Sequence, residues 1–163
     1  MIDKIVAILQ NFHLGKDAII AIVSMLPIVE LRGAIPLAIG VFKMNLWRAF
    51  FISVFFNVLI IAPLLWFLNP IRNFLSHIRF FKKFFDKLDA RTMKKGTDVM
   101  KYGAIGLAFF VAIPIPGTGA WSGSLLALLF DIDFKWAFPA ILLGVLVAGI
   151  IVTLVTAGVV KIF

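Results

Sequence analysis

Ser24–Gly40 reads SMLPIVELRGAIPLAIG, and no single clean membrane helix accommodates it. Pro27 and Pro36 each remove a backbone donor, and Gly33 loosens any helix between them. Glu30 and Arg32 stand at its centre, the ionisable residues that lie deep inside an apolar stretch. A second interrupted stretch, Phe110–Leu126, reads FVAIPIPGTGAWSGSLL, with Pro114, Pro116, Gly117 and Gly119 at its middle. Within a bilayer, irregular backbone persists only where it is buried in protein or lines a wet cavity. Broken segments in corresponding places of two halves therefore point to a site near the midplane.

The surroundings of these stretches place them in a membrane. The 163 residues are 63% hydrophobic, with a mean hydropathy of +1.10, whereas a soluble domain is about half apolar. Residues 17–42, 46–68, 102–130 and 136–160 are each long enough to cross a bilayer core, which takes about 20 residues. The expectation is an all-α integral membrane protein forming a single membrane domain over 1–163, with no room for a soluble catalytic domain.

Cysteine is absent, which removes disulfides, thiolate nucleophiles and cysteine metal sites. His13 and His77 are far apart and carry no ligand spacing. No nucleophile–base pair, Walker loop or Gly-rich nucleotide loop is present, so neither an enzyme nor a metal or cofactor is expected. Met1–Leu14 contains Asp3, Lys4, Gln10 and Asn11, which interrupt any secretory h-region.

The net charge of +8 is concentrated. Between Pro70 and Lys101, nine basic residues stand against Asp86, Asp89 and Asp98. A basic loop between apolar spans speaks against nucleic acid and for placement in the cytoplasm, reinforced by attraction to anionic lipid. Phe74, Ile78, Phe81, Phe85 and Leu88 give this linker, 70–101, one apolar stripe, as in an amphipathic helix on the membrane surface. Ile2, Ile5, Val6, Leu9 and Phe12 predict a shorter amphipathic helix at the N-terminus.

An internal repeat is visible. Val41–Ser53 (VFKMNLWRAFFIS) and Leu129–Ile141 (LFDIDFKWAFPAI) align at a shift of 88 residues, pairing Phe42 with Phe130, Asn45 with Asp133, Ala49 with Ala137 and Phe50 with Phe138. Each half reads as a broken stretch, a short acidic or amide turn, and an intact helix: 17–68 first, 102–160 second. If each broken stretch is a re-entrant hairpin, the halves are inverted and the hairpin tips meet in mid-membrane. If each crosses fully, the chain is a four-span bundle with parallel halves. The breaks favour the hairpins.

At the tips, Arg32 stays protonated and can fork onto a phosphate or carboxylate. Glu30 can pair with it or take up a proton in dry surroundings; the plainer reading is an ion pair that only locks the tip. Pro114-Ile115-Pro116-Gly117-Thr118-Gly119 ends one half-helix and can open another near Ala120, whose free N–H groups suit an anion. Thr118 and Ser122 add hydroxyls and Trp121 a wall; the plainer reading is a tight turn filled by its own hydroxyls. Pro27, Gly33, Pro36 and Pro114 shape the hairpins, and Asn57, costly to bury alone, is expected to bond to a broken backbone. Asn45, Asp131 and Asp133 are expected helix N-caps.

On Glu30-Leu31-Arg32-Gly33-Ala34-Ile35-Pro36, on Asn57 and Pro63, and on Pro114-Ile115-Pro116-Gly117-Thr118-Gly119-Ala120-Trp121, the chain resembles the family called putative small multidrug export proteins. The resemblance runs from about Asp17 to the end and implies an exporter, distinct from the four-helix small multidrug resistance fold. The architecture is also similar to the DedA and VTT-domain membrane proteins. That likeness implies inverted re-entrant hairpins and movement of lipids such as polyprenyl phosphates or phospholipids. The arginines flanking the second hairpin's proline in DedA proteins are replaced here by Ala112, Ile113 and Ile115.

The combined expectation is a homodimeric transporter in a prokaryotic-type inner membrane. It moves a small amphipathic, anionic or lipid-like molecule, with membrane lipids as partners, Arg32 and the second turn as the binding site and Glu30 as the proton-coupling group. The alternatives are an uncoupled lipid scramblase and a non-transporting accessory protein.

Overall fold

The computed structural model describes residues 14–67 and 102–162, and every regular element among them is helical. The helices are α1 (Lys16–Met25), α2 (Glu30–Pro36), α3 (Leu46–Phe67), α4 (Tyr102–Ala112), α5 (Ala120–Leu129) and α6 (Phe134–Ile162). The expected amphipathic helices over 1–14 and 70–101 lie almost wholly outside the described residues.

The first interrupted stretch unwinds at Leu26–Val29, around Pro27. There Leu26 N–H reaches back to Val23 O and Glu30 N–H to Leu26 O. Gly33 and Pro36 are not breaks; both lie inside α2. Pro36 has no N–H to offer the preceding turn, and the helix loosens after it into a π-helical segment, Leu37–Val41, closed by Phe42 N–H on Leu37 O at 3.1 Å. The second stretch unwinds over Ile113–Gly119, between α4 and α5.

α3 and α6 are the helices long and apolar enough to cross a membrane. Asn45 opens α3 by accepting from Trp47 N–H at 2.9 Å, as an N-cap does. The ladder of α3 breaks once, at Ile60, three residues before Pro63. α6 tolerates Pro139 near its start. Along α3, Trp47, Phe51, Phe55 and Leu59 face outward while Ser53 and Asn57 are fully buried. Large aromatic residues outside and polar ones inside reverse the pattern of a water-soluble core helix and suit a lipid surrounding.

α3 and α6 run antiparallel. Gly149 of α6 faces Phe50 and Val54, while Phe134 shares a pocket with Ala62, Pro63 and Trp66. These two contacts are about 20 Å apart along each helix at 1.5 Å per residue. α2 lies against α1, α3 and α6, and α5 packs on α6.

Each broken stretch begins and ends in one place. Lys16 Nζ, at the start of α1, donates to Phe42 O at 3.2 Å, and Asp17 pairs with Arg48 in the first turn of α3. Gly103, at the start of α4, lies against Ile132 in the turn after α5. The first pair of ends meets where α3 begins; the second meets where α3 finishes and α6 begins.

The two turns are locally alike. Lys43 (φ 51°) and Asp131 (φ 54°) both adopt the left-handed region, uncommon for residues with a Cβ. Two residues on, Asn45 O and Asp133 O accept from the N–H groups of the buried Ala49 and Ala137. These pairs are the ones that the 88-residue alignment brings together.

Candidate functional site

The two breaks meet through Glu30 and Arg32. Glu30 is 4% exposed and sits at φ 49°, a left-handed backbone that persists only where surrounding contacts hold it. Its Oε2 accepts from Arg32 Nη1 at 2.7 Å. Its Oε1 accepts from the backbone N–H of Trp121 at 3.1 Å. That N–H belongs to the first turn of α5 and has no intrahelical partner, and the partial positive charge there suits a carboxylate.

Arg32 does the opposite at the other half-helix. Its Nη2 lies 3.0 Å from Val111 O, 3.1 Å from Ile113 O, 3.2 Å from Thr118 O and 3.3 Å from Thr118 Oγ1. Val111 O closes α4 and Ile113 O lies just beyond it, so the cation faces the helix end that carries partial negative charge. Glu30 thus caps α5 and Arg32 caps α4, and the pair between them ties the two ends together. Trp121 Nε1 donates to Met25 O at 3.0 Å, capping α1 as well.

The remaining expected site residues are distributed as follows. Thr118 Oγ1 is 2.6 Å from Ile113 O and 2.8 Å from Ile115 O, so its single hydrogen is used inside the turn. Ser122 Oγ donates to Gly119 O at 3.2 Å. Pro114, Pro116 and Gly117 (φ 91°) form the exposed outer rim of the turn, next to but not bonded with Arg32. Pro27 is exposed on the first break. Asn57 Nδ2 donates to Ser24 O at 2.8 Å, one residue before the end of α1.

Gly119 is buried, and a Cβ built on it would overlap the Glu30 carboxylate. Its φ of −89° is open to any residue, so glycine stands there for space. The main groups that sequence reasoning missed are backbone atoms: Met25 O, Val111 O and Ile113 O. Carbonyls carry no residue signature, but each follows from asking what the unpaired ends of a broken helix bond to.

Among the described residues no three His, Asp or Glu side chains come together as a metal site. Chemically, the N-terminus of α5 seats an anion, and that anion is the Glu30 carboxylate.

Among the described residues, two membrane-length apolar helices and two interrupted stretches joined at a buried ion pair suit a small helical membrane protein. Residues 30–151 match the family described as "Putative small multi-drug export protein", and the chain belongs to that family. The match starts at Glu30 and takes in α2, α3 and both sides of the second break. The family name is that of a membrane exporter, and so of a transporter rather than an enzyme. No curated protein and no solved structure matches the chain.

Proposed function

We propose that this protein moves a small amphipathic molecule, anionic at one end, across the bilayer, and that the exchange of its charged group with Glu30 is the central step. The carrying observation is the cross-cap: Glu30 on α5 and Arg32 on α4. An entering phosphate or carboxylate takes the Trp121 N–H and the Arg32 fork, in the turn formed by Pro116, Gly117, Thr118 and Gly119. Glu30, displaced from both partners into an apolar interior, takes up a proton, because an unpaired carboxylate there is costly. Release of the cargo reverses both events, so a proton is taken up and given off together with the cargo. Pro27, Gly33, Pro36, Asn57 and Pro114 hold the hairpins in which this happens.

The topology we propose is a pair of re-entrant hairpins in inverted repeats, 17–68 and 102–160, within one membrane domain, 1–163. Three observations support it: the ends of each broken stretch meet, they meet at opposite ends of α3, and the breaks touch each other between those ends. The likeness of the turns at Lys43 and Asp131 supports a duplication. The basic linker 70–101 lies in the cytoplasm of a prokaryotic-type inner membrane. Ile28, 74% exposed, and Ile115, 55% exposed, leave apolar, irregular backbone at the tips unburied; a second copy of the chain covers it, because such backbone does not face lipid.

The test is flux in proteoliposomes of an amphipathic anionic dye under an imposed pH gradient. Glu30→Gln keeps an oxygen for Trp121 N–H but loses the titratable charge. It is expected to fold and to lose the proton dependence of flux; unchanged proton-coupled flux in this variant would contradict the role.

A second reading is favoured by one fact: each oxygen of the Glu30 carboxylate and each terminal nitrogen of Arg32 has a partner inside the protein. A lock of that kind also suits an accessory protein, for which neither dye nor lipid moves and Glu30→Gln alters stability alone. An uncoupled scramblase of the DedA or VTT type is distinguished by lipid movement without any gradient.

A further inference from the structure

Lys16, Lys43 and Arg48 line a pocket of about 380 Å³ where the ends of the first broken stretch meet, with Asp17, Phe42, Met44 and Asn45 as its other walls. It opens at the first turn of α3, a helix long and apolar enough to cross the bilayer, so it sits at the membrane edge. Trp47 is 71% exposed beside it, the placement expected of an aromatic ring at headgroup depth.

The charges in the pocket are unbalanced. Asp17 is paired with Arg48, which leaves two lysines without a carboxylate. Lys16 uses one of its three hydrogens on Phe42 O at 3.2 Å. Lys43 makes no ion pair or hydrogen bond among the described residues. Ammonium groups are point-charge binders of phosphate. Running away from them along α3 is an exposed apolar ridge: Trp47 stacked on Phe51 at 6.3 Å, then Phe55, 61% exposed.

We propose that this pocket binds the phosphate headgroup of an anionic membrane lipid, with Lys16 and Lys43 on the phosphate and an acyl chain against Trp47, Phe51 and Phe55. The pairing of a cationic pocket with an apolar ridge selects a phospholipid over a free anion, which uses only the first, and over a zwitterionic lipid, whose own cation opposes the lysines. The site is separate from Glu30 and Arg32 and does not depend on what the protein moves.

The experiment is native mass spectrometry of the full chain in detergent, with phosphatidylglycerol, phosphatidylcholine or inorganic phosphate added. One tightly held phosphatidylglycerol is expected, with affinity falling about fivefold in Lys43→Gln and again about fivefold in Lys16→Gln/Lys43→Gln. Lys82→Gln/Lys83→Gln, in the basic linker, is expected to keep that lipid. Lys43→Gln retains the Lys16–Phe42 bond and so separates lost binding from lost folding. Undiminished phosphatidylglycerol in the double pocket variant would overturn the proposal. Equal retention of phosphatidylcholine would too, as would phosphate binding through the same lysines with no lipid preference.

Discussion

At Gly119 the requirement is empty space beside a carboxylate. Any side chain there meets the Glu30 carboxylate head-on, so Gly119→Ala is expected to push Glu30 off the N-terminus of α5. The loss belongs to the pair: in a double-mutant cycle, Gly119→Ala is expected to cost far less once Glu30 is Ala, read as thermal midpoints in detergent. Equal costs in both backgrounds would show that the two residues do not meet. Arg32→Ala leaves Glu30 buried and unpaired and frees the carbonyls of Val111, Ile113 and Thr118. A loss of about 3–5 kcal/mol is expected, the range for breaking a buried ion pair. Arg32→Lys keeps the charge but lacks the fork that reaches Glu30 and α4 together, and is expected to fall between. Denaturation of the purified variants by the same method orders all three.

Among the helices, close packing rests on glycines that neighbouring side chains or backbone would otherwise strike. A Cβ on Gly123 of α5 would approach Val111 Cγ2 to 2.6 Å. A Cβ on Gly144 of α6 would meet Val111 Cβ at 2.6 Å and the backbone oxygen of Ala108 at 2.8 Å. Both substitutions to Ala are expected to destabilise by about 1–3 kcal/mol, as overpacking does. Val111→Ala removes the γ-methyl and is expected to relieve Gly123→Ala. It is not expected to relieve Gly144→Ala, whose obstacles are a backbone carbonyl and a β-carbon that Ala retains. Unfolding midpoints of the three single and two double variants test this asymmetry. At this scale the sequence was largely readable. Pro27 and Pro114 to Gly119 marked the interruptions because missing donors and loosened backbone act locally. Gly33 and Pro36 misled: what surrounds α2 on three sides keeps it helical, and Pro36 shows its effect only downstream, as a π-helical segment. Glu30, Arg32 and Thr118 were identifiable as a polar group in an apolar setting. The pairing of Glu30 with Arg32 and the filling of the turn by the Thr118 hydroxyl were legible as well, but the carbonyl partners of Arg32 were not, because carbonyls 79 to 86 residues away have no signature in the sequence.

In the whole molecule, the ion pair is the point at which two halves that start from different places are joined. The first broken stretch returns to Lys16 and Phe42, the second to Gly103 and Ile132, and α3 separates the two. In the topology we propose, these ends lie on opposite faces of the bilayer and the Glu30–Arg32 cross-cap lies between them, where the proposed cargo would exchange with Glu30. The chain contains no cysteine, so single cysteines can report each face. Lys43, in the turn before α3, and Lys135, in the first turn of α6 just past the corresponding turn, are both exposed. The decisive measurement is labelling of Lys43→Cys and Lys135→Cys in intact cells with a membrane-impermeant maleimide, before and after permeabilisation. Labelling of Lys43→Cys alone in intact cells, with Lys135→Cys reacting only after permeabilisation, is the expected result. Labelling of both in intact cells would make the chain a bundle of full spans with parallel halves, and would contradict the meeting of two inverted hairpins at Glu30.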